Sequence, residues 1–202
     1  MNPDLIPPDL IAVAALILAY LMGSVSAAIL VCRAMGLPDP RTDGSRNPGT
    51  TNVLRIGGKP AAMLTLAGDM LKGVIPVVLA RKLDIDDLML SAVGFAAFLG
   101  HLYPVFFRFE GGKGVATALG VMLALHWVLG LAVIAIWLAG FALTRISSVG
   151  AIAGFLAAPF LAGYLMPEGM LGILVTSLFL LARHRGNIKA LLNGTESKFG
   201  KK

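Results

Sequence analysis

The sequence predicts an all-α integral membrane protein of about seven transmembrane helices, and three observations predict it. Hydrophobic residues make up 57% of the 202 and charged residues only 14%, whereas a soluble domain is usually about 45–50% apolar with about 25% charge. Mean hydropathy is +0.82. The apolar residues gather into long runs, and the arginines and lysines collect in alternate connecting segments. No long linker, repeat or low-complexity tract divides the chain, so residues 1–202 read as one polytopic domain.

The runs follow in order. Residues 10–31 are too long for a signal-peptide core and lack a basic stretch before them, so they are expected to remain as a helix. Residues 61–80 and 88–107 each suit one crossing. Residues 115–143 are too long: at 1.5 Å per residue they would form about 43 Å of helix against about 30 Å of hydrocarbon. They either tilt or divide into two short helices near His126-Trp127. Residues 149–166 and 169–182 supply the last two runs.

Charge bears on the long run. Arg33, Arg41, Arg46, Arg55 and Lys59 follow the first run, Arg108 and Lys113 the third, Arg145 the long one, and Arg183, Arg185, Lys189, Lys198, Lys201 and Lys202 the last. The N-terminus offers only Asp4 and Asp9, and the segment after the second run carries Asp84, Asp86 and Asp87 against Arg81 and Lys82. The bias of basic residues toward the cytoplasm therefore places the N-terminus outside and segments 33–60, 108–114, 145–148 and the tail inside. That needs an odd number of crossings. Dividing residues 115–143 gives seven helices, each half short, one of them a partial span buried against its neighbours.

Composition also excludes several classes. In a membrane chain, topology accounts for the net charge of +6, so nucleic acid is not expected as a partner. Cys32 is the sole cysteine, which rules out an intramolecular disulfide, and three scattered histidines form no metal-ligand cluster. No metal or cofactor is expected.

The most informative stretch is Gly111-Gly112-Lys113-Gly114. Three residues without Cβ let backbone N–H groups approach an anion, the lysine adds a full charge, and a helix opening at Val115-Ala116-Thr117 would point at the same spot. A flexible turn whose lysine marks the cytoplasmic side is the plainer alternative. The stretch is not a nucleotide-binding Walker loop, because Phe107 stands where the first glycine belongs and Gly114 follows the lysine.

Other polar groups gather on the same side. The stretch 39–55 concentrates hydroxyls, amides and arginines, including Ser45, Asn47, Asn52 and Arg55. Such a set can bind a phosphorylated polyol, or it can form a solvated turn with helix caps. Asp69 and Lys72 lie one helical turn apart inside the second run, where an ionised group costs about 2.5–3.5 kcal/mol, so they are expected to pair or line a cavity. His101 reads as a packing histidine and His126 as an interfacial partner of Trp127. Arg183-His184-Arg185-Gly186-Asn187 is either a topology signal or a site segment, with His184 and Asn187 spaced to share a helical face. Ser147 and Ser148 add hydroxyls on that side. A small transporter is the rival reading, favoured by the intramembrane Asp69 and Lys72 but not by the one-sided clustering of polar motifs.

Three ordered motifs then carry a resemblance. Gly44-Ser45-Arg46-Asn47-Pro48-Gly49-Thr50-Thr51-Asn52-Val53-Leu54-Arg55, then His101-x-x-Pro104 leading into Phe109-Glu110-Gly111-Gly112-Lys113-Gly114-Val115-Ala116-Thr117, then Arg183-His184-x-x-Asn187-Ile188 with Gly194-x-Glu196 resemble the bacterial acyl-phosphate-dependent glycerol-3-phosphate acyltransferases, the PlsY family. Gly23-Ser24 and Asp69-x-x-Lys72-Gly73 extend the match over nearly the whole chain. Arg46 and Thr50 stand where that family usually has Gly and Ala.

The resemblance implies a seven-helix enzyme of the bacterial inner membrane with its motifs facing the cytoplasm. It would move a fatty acyl group from long-chain acyl phosphate to the 1-hydroxyl of glycerol 3-phosphate. Membrane lipids would surround it, and it would be linked functionally to the enzyme that makes acyl phosphate. It further implies that Ser45, Arg55, Lys113, His184 and Asn187 contact the glycerol phosphate, with Asn47 and Asn52 in the same binding loop. Gly111, Gly112, Gly114 and Thr117 would cradle the acyl phosphate with Ser148 nearby. Ser45, Lys113, His184 and Asn187 are the catalytic candidates. No covalent acyl-enzyme is implied. The alternative glycerolipid mechanism, a His followed five residues later by Asp, is missing, since Phe106, Leu131 and Lys189 occupy those places.

Overall fold

The computed structural model describes residues 7–199, which contain helices and turns and, among those residues, no strand. Asp4, Lys201 and Lys202, used in the charge reading, lie outside the described residues, as does the side chain of Asp9.

The first apolar run is two helices rather than one. Helix α1 (Pro8–Gly23) stops and α2 (Ala27–Ala34) restarts, with the Ser26 hydroxyl accepting from the Ile29 N–H to cap the second. A break at that depth strips carbonyls of their partners. Lys72 meets the need: its Nζ donates to the Val25 carbonyl at 2.8 Å.

Helix α3 (Thr50–Arg81) starts eleven residues before the apolar run, so Arg55 sits on a helix and not in a loop. Gly58, at φ 73° and ψ −170°, breaks it into a short polar segment and a long apolar one. That conformation is essentially open only to glycine. Helix α4 (Asp87–Leu102) is capped by Asp86, whose carboxylate accepts from the Met89 N–H at 2.7 Å.

The long fourth run divides at His126, the outcome that charge parity favoured over a tilted helix: α5 (Val115–Leu125) and α6 (Trp127–Thr144). His126 serves as the cap of α6, its Nδ1 accepting from the Leu129 N–H at 3.4 Å. Arg81 closes the end of α5 by donating to the Ala124 and Leu125 carbonyls. Helices α7 (Ser147–Leu165), α8 (Met170–Arg183) and the short α9 (Arg185–Leu192) complete the chain.

Among the described residues, five segments are long and apolar enough to cross a membrane: Leu10–Ala34, Thr50–Arg81, Asp87–Phe107, Trp127–Thr144 and Ser147–Leu165. Helices α5 and α8, at 11 and 14 residues, reach about 16 and 21 Å. Neither spans about 30 Å of hydrocarbon unaided. The core packs Phe98, Leu102, Met122, Leu129, Phe155 and Leu180 between α4, α5, α6, α7 and α8. Leu143, Phe160 and Tyr164 face outward, each more than four-fifths exposed, as lipid-facing side chains do. With no hydrophobic gain between helices in lipid, close approach replaces it. Gly73 lies against the Thr117 backbone and Gly120 against that of Met70, so α3 and α5 touch where a Cβ would collide.

Candidate active site

The site grows from the turn between α4 and α5. The Gly112 N–H donates to the His101 carbonyl at 3.2 Å. The carbonyls of Gly111 and Gly112 accept from one Arg183 guanidinium at 2.9 and 3.0 Å. Arg183 thus ties the end of α8 to the glycine turn. A Cβ on Gly112 would meet His101 Nε2 at 2.3 Å and the Pro48 carbonyl at 2.9 Å. Gly114, at φ 84°, begins α5 in the left-handed region.

Lys113 leaves this turn and donates to Asn187 Oδ1. The Asn187 amide donates to Glu196 Oε1 at 2.6 Å, and the Ser148 hydroxyl donates to that same oxygen, also at 2.6 Å. One carboxylate therefore organises a lysine, an amide and a hydroxyl from three distant parts of the chain. Burial pushes the Lys113 amine below its usual value, Glu196 opposes the shift, and nearby Arg183 and Arg55 add to it.

His184 is buried between α8 and α9, its Nδ1 2.8 Å from the Leu180 carbonyl. Since a carbonyl only accepts, Nδ1 carries the proton and Nε2 is left as an acceptor. Burial lowers the His184 pKa to about 4, with the Leu180 bond opposing and Lys113 reinforcing. The ring is neutral at physiological pH. His184 and Asn187 do not lie within one helix: α8 ends at Arg183, α9 starts at Arg185, and His184 stands between them as the residue that opens α9.

The other candidates are placed differently. Arg55 is exposed and donates to Ser197 Oγ at 2.9 Å, and Thr51 lies 3.4 Å from Ser147, so the start of α3, the start of α7 and the tail meet. Asn52 is buried and spends its amide on the loop: Oδ1 accepts from the Ser45 N–H, and Nδ2 donates to the carbonyls of Pro40 and Asp43. Ser45 is exposed and Asn47 partly so. Thr117 is fully buried, its hydroxyl without a partner.

Asp69 and Lys72 do pair, at 2.9 Å, both buried. His101 joins them: its Nδ1 lies 3.5 Å from Asp69 Oδ1 and makes no hydrogen bond, so it is not the satisfied packing histidine expected. Its other edge faces Gly112. Sequence reasoning missed Glu196 and Arg183 as site residues. Glu196 was visible only as part of a motif, and Arg183 read as a topology signal, since neither reveals its partner without the fold. Among the described residues no group of three metal-ligating side chains occurs.

Four segments that positive charge assigned to one side of the membrane thus converge on one polar face. That defines a polytopic membrane protein with a cluster of lysine, arginine, amide and carboxylate side chains at its edge. The glycerol-3-phosphate acyltransferase family model matches residues 13–194. A glycerol-3-phosphate acyltransferase from Methylococcus capsulatus is 52% identical over 91% of this chain and 94% of its own length. One from Methylobacillus flagellatus is 55% identical over 92% and 96%. Among solved structures, PlsY, an integral membrane glycerol 3-phosphate acyltransferase in its glycerol 3-phosphate form, superposes with a TM-score of 0.87 at 41% identity, covering 94% of this chain and 96% of that one. Its lysophosphatidic acid form gives the same TM-score. The chain belongs to the glycerol-3-phosphate acyltransferase family.

Proposed function

We propose that this protein transfers a fatty acyl group from acyl phosphate to the 1-hydroxyl of glycerol 3-phosphate, at the cytoplasmic face of the bacterial inner membrane. The observation that carries the reading is the Lys113–Asn187–Glu196–Ser148 array, set beside a glycine turn that Arg183 clamps. Both substrates bring a phosphate, and the site offers two kinds of phosphate ligand. Lys113 and backbone N–H groups of the turn suit the acyl phosphate, and the Arg55 fork suits the glycerol phosphate.

Acyl phosphate is an activated mixed anhydride, so the reaction needs position and charge more than a nucleophilic side chain. The glycerol 1-oxygen attacks the acyl carbon and forms the ester bond. The bond from that carbon to the phosphate oxygen breaks, and the pair leaves with inorganic phosphate. Lys113 steadies the charge growing on the leaving group. The hydroxyl proton passes to a phosphate oxygen. A phosphate monoester's second pKa of about 6 suits that task, and a His184 with a pKa of about 4 holds a proton poorly at neutral pH. His184 instead orients a donor through its free Nε2. Lysophosphatidic acid and phosphate are the products.

The test is direct. Purified protein in detergent is mixed with palmitoyl phosphate and glycerol 3-phosphate, and phosphate release is followed. Release that depends on both substrates is expected; its absence would end the proposal. Lys113→Ala should lower the rate by about 10² or more, the scale seen when one such stabilising donor is removed, with its helical circular dichroism unchanged.

A further inference from the structure

We propose that His101 is a positioning residue for the glycine turn: braced from behind by Asp69 and Lys72, its ring sets the shape of the turn that takes the acyl phosphate. The role presupposes the acyl-transfer reading above, and it employs three buried groups that the reaction itself does not touch.

Asp69, Lys72 and His101 are 2, 7 and 6% exposed. All three lie within segments long and apolar enough to cross a membrane, where ionisable side chains are costly and mark function when they are retained. They form a line. Lys72 Nζ donates to the Val25 carbonyl at 2.8 Å and lies 2.9 Å from Asp69 Oδ1, which lies 3.5 Å from His101 Nδ1. The line joins the break between α1 and α2, the middle of α3 and the last turn of α4. Among the described residues His101 Nδ1 has no hydrogen-bond partner, so the Asp69 carboxylate is the polar group that orients that edge of the ring.

The far end of the line is the turn. The His101 carbonyl accepts from the Gly112 N–H at 3.2 Å. A Cβ on Gly111 would collide with that carbonyl oxygen, and one on Gly112 would collide with the ring Nε2. The two glycines therefore rest on His101, one against its backbone and the other against its ring. The N–H groups of the turn stay aimed at an anion only while this floor stays in place. An apolar side chain could fill the same space at lower cost, since a buried ion pair is weak support for stability. What the charged pair adds is a fixed orientation of the ring against Gly112.

Two substitutions separate the two edges of the ring. His101→Asn keeps an amide donor where Nδ1 faces Asp69 but is too short to reach Gly112. His101→Gln reaches Gly112 and gives up the Asp69 contact. Full-length protein in detergent is assayed for phosphate release, with palmitoyl phosphate and glycerol 3-phosphate varied in turn, and its thermal midpoint is recorded. In His101→Asn the KM for palmitoyl phosphate should rise about tenfold or more, as a small displacement of binding groups can produce, while that for glycerol 3-phosphate stays within about twofold. His101→Gln should raise the same KM by a smaller factor. A packing role would instead lower the thermal midpoint and the amount of active protein and leave both KM values at the parent's. That result, or equal rises in both KM values, overturns the assignment; should His101→Asn not fold, an unchanged KM for palmitoyl phosphate in His101→Gln suffices to overturn it. A parent that releases no phosphate from this substrate pair sinks the acyl-transfer reading and the role of His101 with it, whereas an active parent with unaffected variants sinks the role of His101 alone.

Discussion

Arg55 and Lys113 divide the proposed chemistry at the scale of single residues. Arg55 is on the polar first segment of α3 and reaches the tail through Ser197, whereas Lys113 belongs to the turn. Arg55→Lys keeps the charge and loses the fork. The KM for glycerol 3-phosphate should rise by roughly tenfold, the equivalent of about 1.4 kcal/mol of binding, and that for acyl phosphate should barely move. Steady-state kinetics varying each substrate checks this, and a rise confined to acyl phosphate would reverse the assignment. His184 sets a pH dependence of stability. Its folded pKa, about 4, lies below the ordinary value of 6.5. Between those values the unfolded chain binds the proton and the folded one does not, so stability falls as pH drops from about 6.5 toward 4 and is unaffected by this group above that window. Thermal midpoints across pH 4–7 should show a shallower slope in His184→Gln than in the parent; equal slopes would contradict it.

At the scale of elements, α3 carries the clearest consequence. Gly58 separates the segment bearing Asn52 and Arg55 from the part that crosses the membrane. A Cβ at Gly58 would meet nothing within 4 Å, so substitution there probes backbone geometry free of steric overlap. Gly58→Ala should cost about 1–3 kcal/mol, read as a lower thermal midpoint with the KM for glycerol 3-phosphate raised as Arg55 shifts. An unchanged midpoint would show that the kink is not required. The same element shows where local reading stops. The polar run 50–60 with Gly57, Gly58 and Pro60 reads as loop, yet it is helical because Asn52 and Val53 are buried against the body of the protein. The division at His126 was legible from run length together with the odd number of crossings that the charge bias requires. The break between α1 and α2 was not, since Gly23-Ser24-Val25-Ser26 is apolar enough to pass as helix and its rescue by Lys72 comes from another element.

The whole molecule folds so that its basic segments meet. Arg41 reaches Glu110, Lys113 reaches Asn187, and Ser148 reaches Glu196. Arg81 meets the end of α5 elsewhere in the fold. If that convergence marks the cytoplasmic face, as the charge bias predicts, then Asp86 and Lys198, both exposed, lie on opposite sides of the membrane. Single cysteines placed at each, with Cys32 replaced by serine, should label from opposite sides of oriented vesicles. Labelling of both from one side would overturn the topology.

Hydropathy, run length and the alternation of arginine and lysine sufficed to determine a polytopic all-α membrane protein with one polar face, because burying apolar helices and retaining cations on one side are properties of composition and order. The motif residues were legible by type and spacing. Which of them touch was not. Glu196 gathers Lys113 through Asn187, and Ser148 directly, only after the tail folds back; Asn52 turns its amide into the loop; Arg183 clamps a turn more than 70 residues before it. Those outcomes depend on contacts between parts of the chain far apart in sequence, where hydrogen-bond geometry and burial, and not local preference, choose the partner.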